Sequence, residues 1–151
     1  MTKSSKSAQG NLYLPVFVSD KGFVAVYPME LKPDFKDALH LFCKEIGVTI
    51  SLVIDPSGEE TSKAVRKFCN QVSTTLRVLE QSTQWANRAE LYIGLLRKSV
   101  RKDLQRSNFP MVIWDCYAQR RALIHNLTPR YLFQTEKQSP YQYQFGVQED
   151  I

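Results

Sequence analysis

The sequence predicts an α/β sandwich built on a mixed sheet, and three observations predict it. "LYLPVFV-SDKG-FVAVYPM" reads as a hairpin, because two aromatic and β-branched runs flank a Ser19-Asp20-Lys21-Gly22 turn. "VTISLVI" (48–54) is a continuous apolar, β-rich run of the kind found in a strand buried on both faces. Around these strands lie stretches with helical apolar spacing, so hairpin, helix, strand, helix, strand, helix, helix is the expected order.

Each element has its own justification. Pro15 sits inside the first hairpin run, which places its missing amide at an edge or a bulge. Asp34 is positioned to cap a helix over 35–46, where Phe35, Ala38, Leu39, Phe42 and Ile46 share one face and Gly47 stops it. The strand ends at Asp55, followed by a Pro56-Ser57-Gly58 turn. Residues 60–72 suit a second helix, "TTLRVLE" a short strand, and 81–86 a loop. The helix that follows carries Glu90, Gly94, Arg97 and Arg101 within about 60° of one another, with Lys98 beside them. Leu91, Tyr92, Ile93, Leu95, Leu96, Val100 and Leu104 fill most of the remaining circumference, so this helix is expected to be buried on most sides around one polar stripe. Ser107 or Asn108 caps a last long helix with Pro110 in its first turn and apolar positions through Leu127. From Thr128 the chain reads as irregular.

At 151 residues the chain is one domain's worth, with 43% hydrophobic and 23% charged residues. No apolar run reaches membrane-spanning length, and "MTKSSKSAQGN" lacks a signal-peptide core. Cys43, Cys69 and Cys116 form neither a disulfide framework nor a metal knuckle, so they read as buried thiols of an intracellular protein. The net charge is +5, but residues 85–130 alone carry +6 from nine cations and three acids. Such a segment fits a polyanionic partner, nucleic acid first; a pair of solvated helices with snorkelling cations fits it equally well.

Two acids could carry chemistry. Asp55 closes a strand, where ligands gather in open α/β sheets, and Glu90 stands on the polar stripe. Converging carboxylates suit Mg²⁺, which prefers oxygen ligands, and two such ions can serve an in-line phosphoryl transfer. Arg97, Lys98 and Arg101 would then hold the phosphate backbone. A strand-end turn acid and a surface Glu is the plainer alternative.

At these residues the sequence resembles the catalytic core of retrotransposon integrases, most of all the copia-type polyproteins, within the RNase H-like fold. "FVSDKGFVAVYPMELK" resembles the second and third strands of that core. "LVIDPSGEET" resembles the block of the second catalytic Asp, and "STQWANRAE" the Ser-Pro-x-x-Asn-x-x-Glu block of the third acid. "NFPMVIWDCYAQRRALIHNLTP" resembles the downstream Leu-Pro-x-x-x-Trp helix ending in Asn-x-x-Pro, and "SPYQYQFGVQEDI" the ending of the core. The resemblance implies a three-layer fold with a mixed sheet. It divides the chain into a flexible lead (1–11), a truncated core (12–135) and the core's C-terminal tail (136–151).

By the same resemblance Asp55 and Glu90 are catalytic ligands of Mg²⁺ or Mn²⁺. Asn87 shapes the loop before Glu90, and Arg97, Lys98 and Arg101 face DNA. DNA integration, a homodimer and a nuclear site of action are implied, with no membrane. The family's first catalytic Asp, on a central first strand, has no match: Asp20 is the one acid ahead of Glu30, and it matches the hairpin turn. The first central strand is therefore expected to be lacking and the fragment weak or inactive. Pro56 also replaces the usual Gly, and Trp85 and Ala86 stand where Pro and Gln or Gly are common. The alternative function is a non-catalytic nucleic-acid-binding or assembly module derived from such an element.

Overall fold

The computed structural model describes residues 2–3, 5–55, 60–79, 88–129 and 138–146. Its centre is the hairpin. Pro15, buried and without an N–H, splits the first arm into β2 (Tyr13–Leu14) and β3 (Val16–Val18), and β4 (Val24–Val26) returns antiparallel. The turn closes through Ser19, whose N–H donates to the Phe23 carbonyl at 2.9 Å and whose Oγ accepts from Phe23 N–H at 3.1 Å. Gly22 takes φ of 81°, a conformation that glycine adopts without steric cost. A short β1 (Thr2–Lys3) pairs antiparallel with β2.

Strand alternation turns the hairpin into the middle layer of a three-layer sandwich. Phe17 and Ala25 point into one apolar cluster, and Val16, Val18, Val24 and Val26 into the other. The first cluster is closed by α1 (Phe35–Ile46), which buries Phe35, Ala38, Leu39 and Phe42 at helical spacing, with Phe42 stacked on Phe17 at 4.7 Å. Gly47, at φ of 112°, ends α1 as expected. Asp34 does not cap it: its Oδ2 accepts from Leu31 N–H at 3.0 Å and so holds a preceding 3-10 turn, Lys32–Asp34.

A βαβ unit follows, made of β5 (Ser51–Ile54), α2 (Lys63–Gln71) and β6 (Thr75–Val78), with the strands parallel and in register Ser51 to Thr75. Ser62 caps α2 by accepting from Val65 N–H, and Val65 and Cys69 enter the α1 cluster. β5 departs from expectation: it is shorter than 48–54 and covered on one face only, with Val53 50% exposed. Leu52 and Leu76 find the α1–α2 cluster, while nothing among the described residues covers the opposite face.

The second cluster is closed by α3 (Arg88–Ser107) and α4 (Trp114–Leu127). Ser107 and Asn108 terminate α3 rather than cap α4: Ser107 Oγ donates back to the Asp103 carbonyl at 2.7 Å, and Asn108 takes φ of 54°. Pro110 then opens a 3-10 turn, Met111–Ile113, that leads into α4. An Asp103–Arg121 double hydrogen bond ties the two helices. Asn126 treats β4 as a strand would: Oδ1 accepts from Val24 N–H and Nδ2 donates to the Val24 carbonyl, both at 2.8 Å. Part of the expected irregular tail is helical, as α5 (Pro140–Phe145), between a Ser139/Gln142 capping box and a left-handed Gly146.

The expected flexible lead is tied down over residues 5–11. Trp114 Nε1 donates to the Ser5 carbonyl at 2.8 Å, Ala8 N–H to the Val112 carbonyl at 2.7 Å, and Asn11 Nδ2 to Asp115 Oδ2 at 2.8 Å. Asp115 is 1% exposed. Burial opposes ionisation there, but hydrogen bonds from Ser7, Asn11 and the Cys116 N–H hold its carboxyl below the usual range. Of the three thiols, all expected to be buried, Cys69 is buried, Cys43 half-buried and Cys116 exposed; burial pushes all three up, and the neighbouring Asp115 adds to the effect at Cys116.

Pairing is both parallel and antiparallel, as a mixed sheet requires, but it falls into three two-stranded ladders, β1–β2, β3–β4 and β5–β6. Among the described residues no strand joins the hairpin to the parallel pair.

Candidate metal and nucleic-acid site

Asp55 directly follows β5, half-buried, where the chain leaves the parallel ladder. Glu90 lies in the first turn of α3, a position where the helix dipole favours a carboxylate whatever its role. Neither acid lacks an interaction partner. Asn87, the expected Pro56-Ser57-Gly58 turn and the expected loop at 81–86 lie outside the described residues.

The environment of Glu90 corrects an expectation. α3 is not buried on most sides: it buries the single stripe Leu96, Val100 and Leu104 against the hairpin and α4, while Leu91 is 65% and Leu95 47% exposed. Glu90 itself is exposed. An exposed carboxylate in the first turn of a helix needs no special compensation to persist there.

Among the described residues no group of three His, Cys, Asp or Glu side chains could hold a metal ion. Asp55 and Glu90, the two acids singled out in the sequence, would if brought together suit one hard divalent ion that completes its shell with water and phosphate oxygens, and would fall short of a two-ion centre.

The cations separate into two kinds. Arg97, Lys98 and Arg101 are exposed on α3, with no ion-pair partner among the described residues. Arg121 is instead held by Asp103, and their hydrogen bond raises the pKa of Arg121 and lowers that of Asp103. Asp103 and Asp115, counted in the sequence as stray acids of a basic segment, are thus internal clamps. Arg97 and Arg101 also border a cavity of about 320 Å³ between the hairpin, α3 and α4. Its apolar walls include Leu14, Val16 and Trp114, none of which charge or motif spacing could have singled out for a cavity.

No family model and no curated sequence matches the chain. Similar solved structures do exist. A chain of the simian T-cell lymphotropic virus intasome in complex with PP2A regulatory subunit B56 gamma superposes with a TM-score of 0.74 at 16% identity, over 93% of this chain and 50% of that one. This chain thus spans half the length of that relative. The HTLV-2 integrase catalytic core domain in complex with magnesium superposes in its dimeric form at 0.66, with 17% identity over 87% of this chain and 83% of that one. Its trimeric form gives 0.69, with 16% identity over 95% and 89%. Among the described residues no helix is long and apolar enough to cross a membrane. The chain has the RNase H-like α/β fold of integrase catalytic cores.

Proposed function

We propose that this chain is an integrase catalytic-core fragment of a copia-type retrotransposon polyprotein, acting on DNA in the nucleus and pairing as a homodimer. The observation that carries the reading is the fold correspondence with a magnesium-bound integrase core, which runs through nearly the whole of both chains. In this reading Asp55 and Glu90 bind Mg²⁺ or Mn²⁺, and Asn87 shapes the approach to Glu90. Bound there, the ion supplies charge stabilisation at a phosphodiester under in-line attack by a 3′ hydroxyl. The chain's own contribution is positioning. β5 fixes the backbone that presents Asp55, the first turn of α3 presents Glu90, and Arg97, Lys98 and Arg101 hold phosphates at successive positions along α3. In this reading Asp55 and Glu90 lack the family's third carboxylate, and activity is weak or absent.

That same shortage, beside an exposed row of cations, favours a second reading: a non-catalytic nucleic-acid-binding or assembly module derived from such an element.

A strand-transfer and disintegration assay on branched DNA with Mg²⁺ or Mn²⁺ separates the two. The chain, its Glu90→Gln variant and a version given an added N-terminal strand with an Asp-Thr pair are compared. Activity in the extended version that disappears with Glu90→Gln supports the integrase reading. Inactivity throughout, with DNA bound equally well by the chain and its Glu90→Gln variant, supports the binding module. Under either reading Arg97→Gln with Arg101→Gln should lower the slope of log affinity against log salt by about 2. An unchanged slope would remove these residues from the DNA surface.

A further inference from the structure

The cavity beside Arg97 and Arg101 has a chemistry that phosphate binding does not use. Its walls come from three elements: Leu14 from the hairpin, Leu96 and Val100 from α3, and Trp114 from α4. These four are buried and belong to one packed cluster, so the walls are preformed. Trp114 is fixed further by its Nε1 hydrogen bond to the Ser5 carbonyl, which satisfies its one polar atom. The two arginines at the rim, one helical turn apart, are exposed and without an ion-pair partner among the described residues. An apolar recess with a few convergent polar groups is the general form of a small-molecule site.

The composition selects the ligand. A neutral apolar molecule would cover the recess but give the guanidinium groups nothing, and a cation would be repelled. A DNA phosphate would satisfy the arginines while leaving the recess wet. A carboxylate matches the planar donor fork of arginine, and an alkyl or aryl-alkyl body matches the walls. The recess offers about 320 Å³ and is open to solvent on one side, which limits the ligand to a small body.

We propose that this cavity binds a small amphipathic monocarboxylate, its apolar body between Leu14, Leu96, Val100 and Trp114 and its carboxylate on Arg97 and Arg101. The site shares those two arginines with the DNA-facing stripe but does not depend on any DNA being bound. Occupancy would neutralise two of the stripe's cations, so the acid and DNA compete.

Octanoate is the probe, with octanol and octyltrimethylammonium as neutral and cationic controls of matched chain length. In a Trp85→Phe background Trp114 is the only indole, and its fluorescence reads the cavity directly. Octanoate is expected to give a saturable change and to bind about tenfold or more tightly than either control. Arg97→Gln with Arg101→Gln, both on the surface, should remove most of that preference without unfolding the chain. Ala118→Leu, which fills the recess from α4, should abolish octanoate binding while DNA affinity persists; circular dichroism checks that this variant folds. The absence of a saturable change, equal binding of octyltrimethylammonium, or full octanoate affinity in the double arginine variant overturns the proposal. DNA binding measured on the same samples keeps the two readings apart: octanoate bound without DNA sinks only the nucleic-acid reading, and DNA bound without octanoate sinks only the cavity.

Discussion

The two longer ladders of this molecule are built from similar residues and meet different fates. β3–β4 is covered on both faces, by α1 and α2 on one side and by α3 and α4 on the other, and every residue of β4 is buried. β5–β6 is covered on one face and leaves Val53 half exposed on the other. The contrast teaches that valine content does not decide burial: a strand face becomes core when a second element is brought against it. It also locates Asp55, which leaves the less-covered ladder, on the side of the molecule with the smaller share of packing.

The largest test of this contrast is truncation within each ladder. Phe17→Ala, which removes the ring stacked on Phe35 and Phe42, should cost about 4 kcal/mol, and Val53→Ala less than about 0.5 kcal/mol. Urea unfolding at unchanged m-value measures both, and comparable losses would break the comparison. Next in size is the polar tie across the hairpin. Asn126→Ala strands the N–H and carbonyl of Val24 in a buried place and should cost about 2 to 3 kcal/mol. A loss within error of zero would mean that water replaces the amide and that this edge is less covered than described.

The helices that cover the hairpin also make it acid-sensitive. Asp115 and Asp103 both have carboxyls held below the ordinary range in the folded state, so the unfolded chain binds more protons as the solution is acidified. Their contribution is fully present above an unfolded carboxylate pKa of about 3.9 and is lost as the pH falls through the lower folded values. Thermal unfolding from pH 6 down to about pH 2 should therefore show an acid limb, setting in near the unfolded carboxylate pKa, that flattens in Asp115→Asn. A steeper limb would reverse the assignment. Asp103→Ala should cost about 1 kcal/mol, less than Asn126→Ala, because both partners of its ion pair are partly exposed to solvent.

How much of this could be read from the residues varies by element. α1 was legible because its apolar positions recur at one face and a glycine follows. α3 was misjudged because Leu91 and Leu95 are as apolar as Leu96; only the placement of the hairpin and α4 makes one stripe core and leaves the other outside. Asp115 and Asn126 could not be told from surface residues, since a buried polar side chain differs from an exposed one in its partners, and those partners lie 102 to 104 positions away. Asp55 and Glu90 were found through motif resemblance, whereas the cavity walls, being ordinary core residues, carried no signal.

The sequence by itself determined the order of elements, the α/β class, the helix-stopping role of Gly47 and the concentration of positive charge between residues 85 and 130. Those are local properties: period, turn chemistry and composition act within a few residues along the chain. Only the tertiary structure decided that the sheet divides into three ladders, that α3 shows its carboxylate to solvent, that residues 5–11 are fastened to α4, and that two arginines stand at the mouth of an apolar recess. Each of these depends on groups far apart in the chain meeting or failing to meet, and burial is a property of that meeting rather than of any residue alone.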